Sequence, residues 1–414
     1  MRLIFGLIFA AVLAGCSSNE PASEARKPHL LLVSIDGYRY DYTELHQPPF
    51  LSQFEQQSAM VERMAPSYPT KTFPNHLTLV TGLLPENHGI VSNGFHNPAL
   101  GEDYFLSRAE AVTNGDFYDG VPLWSLAASQ QMKSATYFWP GSEAEIAGFR
   151  PDYWVPYNHV EDYQIRIDQL VEWFQLPDDE RPQFMTLYFH EVDSQGHYHG
   201  ATSEQARDAL HKVDAALSQL VERLNAVADE QNLDLNIIIT SDHGMLDLEK
   251  LDRVYMDEVM AQEPGLSERM RLIGTGPVTQ IYAQGDDKQA DLDKMIALFQ
   301  DIPNVEIYKR EDIPMRLRFK GHVAIGDAII LSNRGYLDFA EKPSSLVGNH
   351  GFETAEVPEM NTLLMGVGPA FESGARIEAA DNIHVYPMMA QILGLTIEHE
   401  IDGDEEVLQP LLAK

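Results

Sequence analysis

The chain has 414 residues and a formal net charge of −34, from 63 acidic and 29 basic side chains. Such an excess of acid argues against a nucleic-acid polymer as a partner, because phosphate backbones are bound mainly by Lys and Arg, and it favours a small-molecule substrate. Cys16 is the only cysteine, so an intrachain disulfide is excluded.

The N-terminal segment, residues 1–15, has the pattern of an export signal. A basic residue, Arg2, precedes an apolar run that is too short to cross a bilayer as a helix. The run ends in Leu-Ala-Gly-Cys, which resembles the cleavage box of bacterial lipoproteins, so we expect Cys16 to carry a lipid. Residues 16–27 are polar, as in a flexible tether. The pattern predicts an exported protein, anchored to the bacterial envelope through this lipid alone and facing the periplasm or the cell surface. Ser17 after the cysteine resembles a sorting signal for the outer membrane, and this resemblance implies that location.

Residues 28–414 read as one domain in which strand-like apolar runs alternate with helical patterns. Continuous apolar runs with β-branched residues are typical of strands buried on both faces of a parallel sheet. We therefore predict an α/β fold, with a central and mostly parallel sheet between helical layers. The three clearest strands are 29–35, 183–189 and 235–241.

A smaller inserted lobe is predicted over residues 246–347. It contains a strand at 278–283, an amphipathic helix at 289–300 and a second strand at 305–308. Because this segment separates the third clear strand from the late histidine His350, we expect it beside the rim of the site that those parts of the chain form.

Asp or His side chains closely follow each of the three strands, and a further histidine lies between glycines late in the chain. The carboxyl ends of parallel strands meet at one edge of a sheet, where ligands bind. Mixed Asp and His ligation suits zinc, and six ligands suffice for two ions with three protein ligands each. Paired metals about 3.5–4 Å apart are used in phosphoryl transfer. The candidate ligands are Asp36, Asp193, His197, Asp242, His243 and His350.

Thr72 is the candidate nucleophile. It precedes Phe73 and Pro74, and proline is favoured at the first position of a helix. We therefore expect the Thr72 hydroxyl at a helix N-terminus, where anions are attracted. A threonine hydroxyl is too weak a nucleophile at neutral pH without an adjacent base or metal, and the six candidate ligands supply the metal.

Taken singly, these residues have ordinary structural explanations. Asp36 before Gly37 is a common turn, and Thr72 is a common helix N-cap. Asp193 and His197 have the spacing of an i,i+4 pair on a helix surface. Their combination favours a catalytic site, because unrelated turns are not expected to supply one nucleophile and six ligands together.

Four segments resemble the nucleotide pyrophosphatase/phosphodiesterase family of the alkaline phosphatase superfamily. The resemblance extends from about His29 to about Leu395, nearly all of the chain after the tether. It implies an alkaline-phosphatase-like fold for a catalytic domain over 28–414, and hydrolysis of phosphodiester or pyrophosphate bonds in nucleotides. The segments are residues 69–75, 193–197, 241–245 and 348–351.

The resemblance divides the candidate ligands between two zinc ions. It implies that Thr72 attacks phosphorus, that a threonyl-nucleotidyl intermediate forms, and that water then releases a nucleoside monophosphate. Asn93 matches a residue that donates a hydrogen bond to a phosphoryl oxygen, and without the resemblance it is only a turn residue. One zinc ion would have Asp193, His197 and His350 as ligands, and the other Asp36, Asp242, His243 and Thr72.

Two aromatic residues, Phe73 and Tyr157, match positions at which the family grips a nucleobase. Stacking tolerates any base, because every base has a π face, and contributes about 1–3 kcal/mol per base. Phe73 packed under its helix is the structural alternative, and Tyr157 is placed by spacing alone. After Asn93 the family usually has an Asp-Pro pair, whereas this chain has His96-Asn97-Pro98. This difference concerns a loop and not the metal ligands.

The sequence therefore predicts a two-zinc nucleotide phosphodiesterase or pyrophosphatase. A phosphomonoesterase or phosphonate hydrolase of the same superfamily would share the ligands, but a monoesterase usually brings a cation to the extra phosphate charge, and no Arg or Lys motif meets that need. A choline-phosphodiesterase is a closer alternative, because aromatic side chains also hold a quaternary ammonium. A non-catalytic, metal-binding envelope lipoprotein would lack the nucleophile or some ligands, and none is missing.

Overall fold

The structure is a computed structural model that describes residues 26–414. The signal predicted over 1–15, the lipidation site Cys16 and most of the tether 16–27 lie outside the described residues. From residue 26 onward, no helix is both long and apolar enough to cross a bilayer. The signal, tether and lipid therefore stay predictions.

Strands and helices alternate along the chain, as predicted. The strands are β1 Pro28–Ile35, β2 Ala59–Ala65, β3 Gly94–Asn97, β4 Glu102–Phe105, β5 Ser134–Tyr137, β6 Tyr153–Val155, β7 Phe184–Phe189, β8 Asp234–Thr240, β9 Leu246–Asp247, β10 Asp252–Tyr255, β11 Met270–Ile273, β12 Val278–Ala283, β13 Glu306–Lys309, β14 Ala328–Leu331, β15 Gly335–Asp338, β16 Gly348–Asn349, β17 Thr362–Val367 and β18 Arg376–Asp381. The helices are α1 Tyr42–His46, α2 Pro49–Gln57, α3 Thr72–Thr81, α4 Pro85–His88, α5 Ala109–Val112, α6 Leu123–Ser129, α7 Tyr163–Phe174, α8 Glu191–His199, α9 Glu204–Gln231, α10 Met256–Met260, α11 Lys288–Phe299 and α12 Val385–Leu393. Short 3₁₀ turns connect several of them.

Eight strands form the central sheet, in the order β18, β2, β17, β8, β1, β7, β5, β6. Neighbouring strands are parallel, except that β17 is antiparallel to both of its neighbours, β2 and β8. The predicted α/β fold with a mostly parallel sheet is confirmed. The three strands that the sequence showed most clearly are β1, β7 and β8, which are adjacent at the centre of the sheet.

Both faces of the central sheet are buried at its middle strands β1, β7 and β8. Alternate residues of a strand point to opposite faces. Leu30 and Leu32 of β1 belong to the core that contains α3, α6 and α12, whereas Leu31 and Val33 belong to the core that contains α2, α7 and α9. Burial on both faces explains why β1 is continuously apolar, and each such side chain contributes roughly 1.5–3 kcal/mol. The strand ends that carry the candidate ligands therefore have rigid support.

A second, antiparallel sheet has the strand order β11, β12, β14, β13. The strand, helix and strand predicted here are found as β12, α11 and β13, with β14 inserted between the two strands. One face of the sheet packs on α10 and α11. On the other face, Val278, Ile329 and Leu331 join the core around α3. The second sheet thus packs directly against the central fold, and the lobe boundaries 246–347 remain a prediction.

Candidate active site

The first group of polar side chains lies where the parallel neighbours β1 and β8 end. Asp36 directly follows β1, and Asp242 and His243 closely follow β8. Asp36 Oδ1 lies 3.4 Å from His243 Nε2, and Asp242 Oδ2 lies 3.0 Å from the same nitrogen. The Gly37 N–H and the Ser241 hydroxyl donate to Asp242 Oδ1, at 3.3 and 3.2 Å. The backbone at the two strand ends therefore fixes this group.

The second group comes from α8 and from the segment after β16. Asp193 Oδ1 lies 3.4 Å from His197 Nε2 and 3.6 Å from His350 Nε2. The Asp193 N–H donates to the Asp36 carbonyl oxygen at 3.1 Å. This approach needs a glycine at position 37, because a Cβ on Gly37 would lie 3.0 Å from the Asp193 Cα. The close contact brings the second group beside the first.

All three candidate ligand histidines are held in the same tautomer. His197, His243 and His350 each place Nδ1 against a backbone carbonyl oxygen, at 2.8, 2.9 and 2.9 Å. A carbonyl oxygen only accepts, so Nδ1 carries the proton and Nε2 keeps a lone pair. Burial lowers the pKa of His243 and of His350, which favours their neutral forms. Metal-binding histidines are typically oriented in this way.

Each of the three carboxylates has one buried oxygen without a hydrogen-bond partner in the described part of the chain. Asp36 Oδ1, Asp193 Oδ1 and Asp242 Oδ2 are buried and accept no hydrogen bond from residues 26–414. Burial, followed by repulsion from Asp242 and Asp193, raises the pKa of Asp36 well above its usual range. Burial and the charge of Asp193 raise the pKa of Asp242 to about 8. Unpaired buried carboxylates are costly, and a bound cation would offset that cost.

The donor atoms fall into two overlapping groups of metal-binding size. One is Asp36, Asp242 and His243, and the other is Asp193, His243 and His350, each with its atoms within 4.8 Å of one another. Ligand atoms of a tetrahedral ion with bonds of about 2.0–2.1 Å are about 3.3–3.4 Å apart, close to the separations measured here. His243 belongs to both groups because its ring stacks on His350, with centroids 3.5 Å apart. The residues present therefore fit bound metal.

Thr72 lies beside the first group, with its Oγ1 3.3 Å from His243 Nε2. Helix α3 begins at Thr72 and has Lys71 as its N-cap. The prediction that proline occupies the first helical position is wrong, because Pro74 is the third residue of α3. Its missing N–H still removes no helical bond, since amides of the first turn have no acceptor within the helix. The Thr72 hydroxyl thus lies at the helix N-terminus as expected, but the helix begins two residues earlier than a proline at its first position would require.

Buried polar side chains hold the start of α3, and the sequence analysis missed them. His76 Nδ1 donates to the Thr72 carbonyl oxygen, and the Ser34 hydroxyl donates to His76 Nε2, both at 2.8 Å. Lys71 Nζ donates to the His350 carbonyl oxygen at 2.9 Å, and burial lowers the pKa of Lys71 to about 8. Lys71 therefore ties the Thr72 segment to the His350 segment. No local sequence pattern marks a buried His or Lys with this role.

Asn93 and Phe73 are joined by a hydrogen bond. The Phe73 N–H donates to Asn93 Oδ1 at 2.9 Å, which leaves the amide NH₂ of Asn93 as a free donor. The Phe73 ring meets Tyr104 edge to face, with centroids 6.1 Å apart, and packs against the core around α3. Both residues also line the cleft described next. Phe73 therefore packs against the core and also presents a surface that a ligand can reach.

The segment at 94–97, where the sequence differs from the family pattern, forms strand β3.

A cleft of about 520 Å³ opens over the two donor groups. Tyr157 is 44% exposed and stands in its wall, with its ring 5.4 Å from Phe138 and 5.7 Å from His190. Asp242 and His243 are fully buried behind the lining. The structure thus brings every predicted site residue together except Cys16, which lies outside the described residues. The predicted residues that line the cleft are Asp36, Thr72, Phe73, Asn93, Tyr157, Asp193, His197 and His350.

Two further lining residues, Tyr188 and His190, were not predicted. Tyr188 is in β7, and its hydroxyl donates to Asp36 Oδ2. His190 immediately precedes α8. Both lie at the carboxyl end of a central strand, where ligands bind in such sheets. That position is the signal that could have singled them out.

Comparison with known proteins identifies the family. Residues 30–353 match the family described as Type I phosphodiesterase / nucleotide pyrophosphatase. The chain is 34% identical over 406 residues to ectonucleotide pyrophosphatase/phosphodiesterase family member 1 of Mus musculus. This alignment covers 95% of the chain and 44% of the relative. It is 32% identical over 400 residues to the bis(5'-adenosyl)-triphosphatase ENPP4 of Bos taurus, and this alignment covers 95% of the chain and 84% of the relative.

Solved structures agree with this assignment. Murine ectonucleotide pyrophosphatase/phosphodiesterase 5, in an inactive threonine-to-alanine form in complex with AMP, superposes with a TM-score of 0.85 at 29% identity. The match covers 94% of this chain and 100% of that chain. The chain therefore belongs to the Type I phosphodiesterase / nucleotide pyrophosphatase family of hydrolytic enzymes, within the alkaline phosphatase superfamily. It spans less than half the length of the family member 1 relatives.

Proposed function

We propose that this protein hydrolyses phosphodiester or pyrophosphate bonds of nucleotides with Thr72 as the nucleophile, and that it releases nucleoside monophosphates. The observation that carries the proposal is the position of Thr72. Its Oγ1 lies 3.3 Å from His243 Nε2, at the edge of a cluster of imidazoles and of carboxylates that each keep one buried oxygen unpaired within residues 26–414, and it faces a cleft. A related protein is inactive in a threonine-to-alanine form and binds AMP, which agrees with this assignment.

The proposed cofactor is a pair of zinc ions. Asp193, His197 and His350 would hold one, and Asp36, Asp242 and His243 would hold the other beside Thr72, as expected from the sequence. When bound, zinc lowers the pKa of a neighbouring hydroxyl and offsets negative charge on phosphoryl oxygens.

The chain's own residues supply the remaining parts of the reaction. Thr72 Oγ bonds to phosphorus while the bond to the leaving group breaks, and a nucleotidyl ester of Thr72 results. A water molecule then bonds to phosphorus as the Oγ–P bond breaks, and the nucleoside monophosphate leaves. The NH₂ of Asn93 is free to donate to a non-bridging oxygen, because its Oδ1 is already occupied by the Phe73 N–H. Preorganised donors of this kind stabilise charge that develops in the transition state.

The lining of the cleft favours a diester over a monoester. A monoester dianion carries an extra charge, which a cationic side chain would offset. Across the described ranges, no Lys or Arg lines the cleft, and the nearby Lys71 donates to a backbone carbonyl oxygen instead. Apolar and aromatic lining, including Phe73, Phe138 and Tyr157, is instead suited to an organic group on the second ester oxygen.

The experiment that tests the proposal compares kcat/KM on two aryl esters. Zinc-loaded protein that starts at Ser17 is given the 4-nitrophenyl ester of a nucleoside 5'-monophosphate and plain 4-nitrophenyl phosphate. We expect a preference of at least about a hundredfold for the nucleotide diester, which amounts to about 2.8 kcal/mol. A preference for the monoester would move the protein to the phosphatase alternative. Zinc-dependent stability without turnover of either ester would favour the non-catalytic, metal-binding lipoprotein. Turnover of a choline phosphodiester alone, tested in parallel, would favour the choline-phosphodiesterase.

We further propose that the protein is exported and held at the bacterial envelope by a lipid on Cys16. The Mus musculus relative and the murine structure named above are ectonucleotide enzymes by name, which agrees with export. Metabolic labelling with a radioactive fatty acid should mark the wild-type protein and not Cys16→Ala. Labelling of that variant would contradict the assignment of the lipid to this residue.

A further inference from the structure

The cleft wall contains an imidazole that the proposed reaction does not use. His190 is only 6% exposed, lines the cleft and has a buried Nδ1 that makes no hydrogen bond within residues 26–414. Its ring packs on His159, with centroids 4.2 Å apart, and meets Tyr157 edge to face at 5.7 Å. The place of His190 in the cleft lining, beside the residue expected to stack on a base, points to a ligand contact.

A half-buried ion pair next to His190, between Arg166 and Glu191, determines which ring nitrogen carries the proton. His190 Nδ1 lies 3.6 Å from Glu191 Oε1, and Arg166 Nη2 donates to the same oxygen at 2.8 Å. The distance is too long for a hydrogen bond, but the carboxylate charge still favours the proton on the facing nitrogen. Burial lowers the pKa of His190 to about 3, so the ring is neutral at neutral pH. Nε2 is then an acceptor.

Arg166 holds this part of the wall together. It is fully buried, its Nη1 donates to the Tyr188 carbonyl oxygen at 3.3 Å, and its guanidinium carbon lies 5.2 Å from the centre of the Phe138 ring. With its bond to Glu191, it joins the end of β7, the Phe138 segment and the start of α8. His190 is therefore presented by a rigid support and not by a mobile loop.

We propose that His190 is a specificity-determining residue, whose Nε2 accepts a hydrogen bond from an exocyclic amino group on the edge of the bound nucleobase. This inference rests on the proposed function, because the ligand is the nucleoside part of the same substrate. Phe73 and Tyr157 would contact the faces of the base, which every base offers, and so cannot distinguish one base from another. His190 contacts an edge, where bases differ. A base without the amino group would cover Nε2 without pairing it, which costs affinity.

The test uses two substrates that differ only in the amino group. They are the 4-nitrophenyl esters of adenosine 5'-monophosphate and of purine riboside 5'-monophosphate. For the wild-type enzyme we expect kcat/KM to be about three- to tenfold higher on the adenosine ester, the range for a single neutral hydrogen bond. His190→Phe should abolish this preference, mainly through KM for the adenosine ester. His190→Gln, whose amide oxygen can accept, should restore part of it.

A matched control separates a base contact from packing. His159→Phe changes the ring that stacks on His190 and should keep the preference, because Nε2 of His190 is untouched. Equal kcat/KM on the two esters for the wild type, or an unchanged preference in His190→Phe, would overturn the inference. If His190→Phe does not fold, His190→Gln and its intermediate preference decide the question.

The same experiment distinguishes failure of this inference from failure of the proposed function. Turnover of bis(4-nitrophenyl) phosphate and of both nucleotide esters establishes the diesterase activity regardless of His190. If no ester is hydrolysed, the proposed function fails, and calorimetric titration with AMP and with purine riboside 5'-monophosphate tests the inference independently. Tighter binding of AMP by the wild type, but not by His190→Phe, would support the contact. Equal binding of the two nucleotides by the wild type would overturn it.

Discussion

The two walls of the cleft are built in different ways. On the metal side, the imidazoles and carboxylates are fixed by the backbone: three histidines contact carbonyl oxygens through Nδ1, and Asp242 accepts the Gly37 N–H. On the aromatic side, side chains contact one another, as in the packing of Tyr157 against Phe138 and His190. The metal side is therefore determined by the fold, and the aromatic side by the identity of a few side chains.

This difference has a physical basis. Strand ends in a doubly covered sheet keep their positions because both faces of β1 are buried. Tyr157 lies in the segment between β6 and α7 and is 44% exposed, and such connecting segments tolerate substitution. Substitutions on the metal side should therefore affect the chemical step, whereas substitutions on the aromatic side should affect the choice of substrate.

The largest expected effect is that of Thr72→Ala. This change removes the only protein atom proposed to bond to phosphorus, so kcat on a nucleotide aryl ester should fall by about 10³-fold or more. Metal content, measured by plasma mass spectrometry, should stay unchanged, because the Asp and His donors remain. Thr72→Ser is the control and should keep part of the activity. Full activity of Thr72→Ala with metal bound would show that another group is the nucleophile.

A second test of the metal side uses the metal-free protein. Burial and repulsion from neighbouring carboxylates, Asp193 above all for Asp242, raise the pKa of Asp36 and Asp242 in the folded state, so folded protein binds these protons more tightly than unfolded chain. The free energy of unfolding should therefore decrease as pH rises from about 5 to about 8, by up to about 1.4 kcal/mol per pH unit for each group. Urea denaturation of chelator-treated protein at several pH values measures this slope.

The control for that slope is Asp242→Asn, which removes one of the two raised groups and should flatten the profile. Added zinc should reverse the trend, because metal binds the deprotonated ligands. A flat profile for metal-free wild-type protein would mean that the carboxylates are not held close together without metal. The fold alone would then not fix the metal side of the cleft.

The parts of the site that were predictable are those that follow strands. The apolar runs of β1, β7 and β8 could be recognised because burial on both faces leaves a continuous pattern, and the residues just after them meet at one edge of the sheet. Thr72 was placed at a helix start from Pro74, although that proline is the third residue of α3. Thr72 still lies at the start of the helix, because a proline at any position of the first turn removes no hydrogen bond within the helix.

The parts that were not predictable depend on contacts between distant segments. Arg166 supports the wall by bonding to Glu191 and Tyr188, which lie on other elements, and nothing in the local sequence of α7 indicates this. His243 belongs to both donor groups because it stacks on His350, which is far away in the chain. Tertiary packing decides such contacts, and periodicity carries no information about them.

An intermediate effect is expected for Asn93, which lies between the two walls. Asn93→Asp is isosteric and keeps the acceptor for the Phe73 N–H, but it replaces the NH₂ donor by an oxygen. We expect kcat to fall by about 10²-fold or more, as for loss of an oxyanion donor, while thermal stability changes little. Asn93→Ala, which loses both functions, should lower kcat and also the melting temperature. A normal kcat for Asn93→Asp would exclude a donor role for this amide.

The smallest effects are expected on the aromatic side. Phe73→Ala should raise KM for a nucleotide aryl ester by about tenfold, since stacking on one base contributes about 1–3 kcal/mol, and should change kcat/KM on bis(4-nitrophenyl) phosphate little. Phe73→Leu, which preserves contact with the core around α3, separates loss of stacking from loss of packing. Tyr157→Ala should raise the same KM by a smaller factor, because its exposed ring leaves part of the base in water. Equal losses on both substrates in Phe73→Ala would mean that the ring serves packing alone, and the aromatic side would then belong to the fold-determined part of the site.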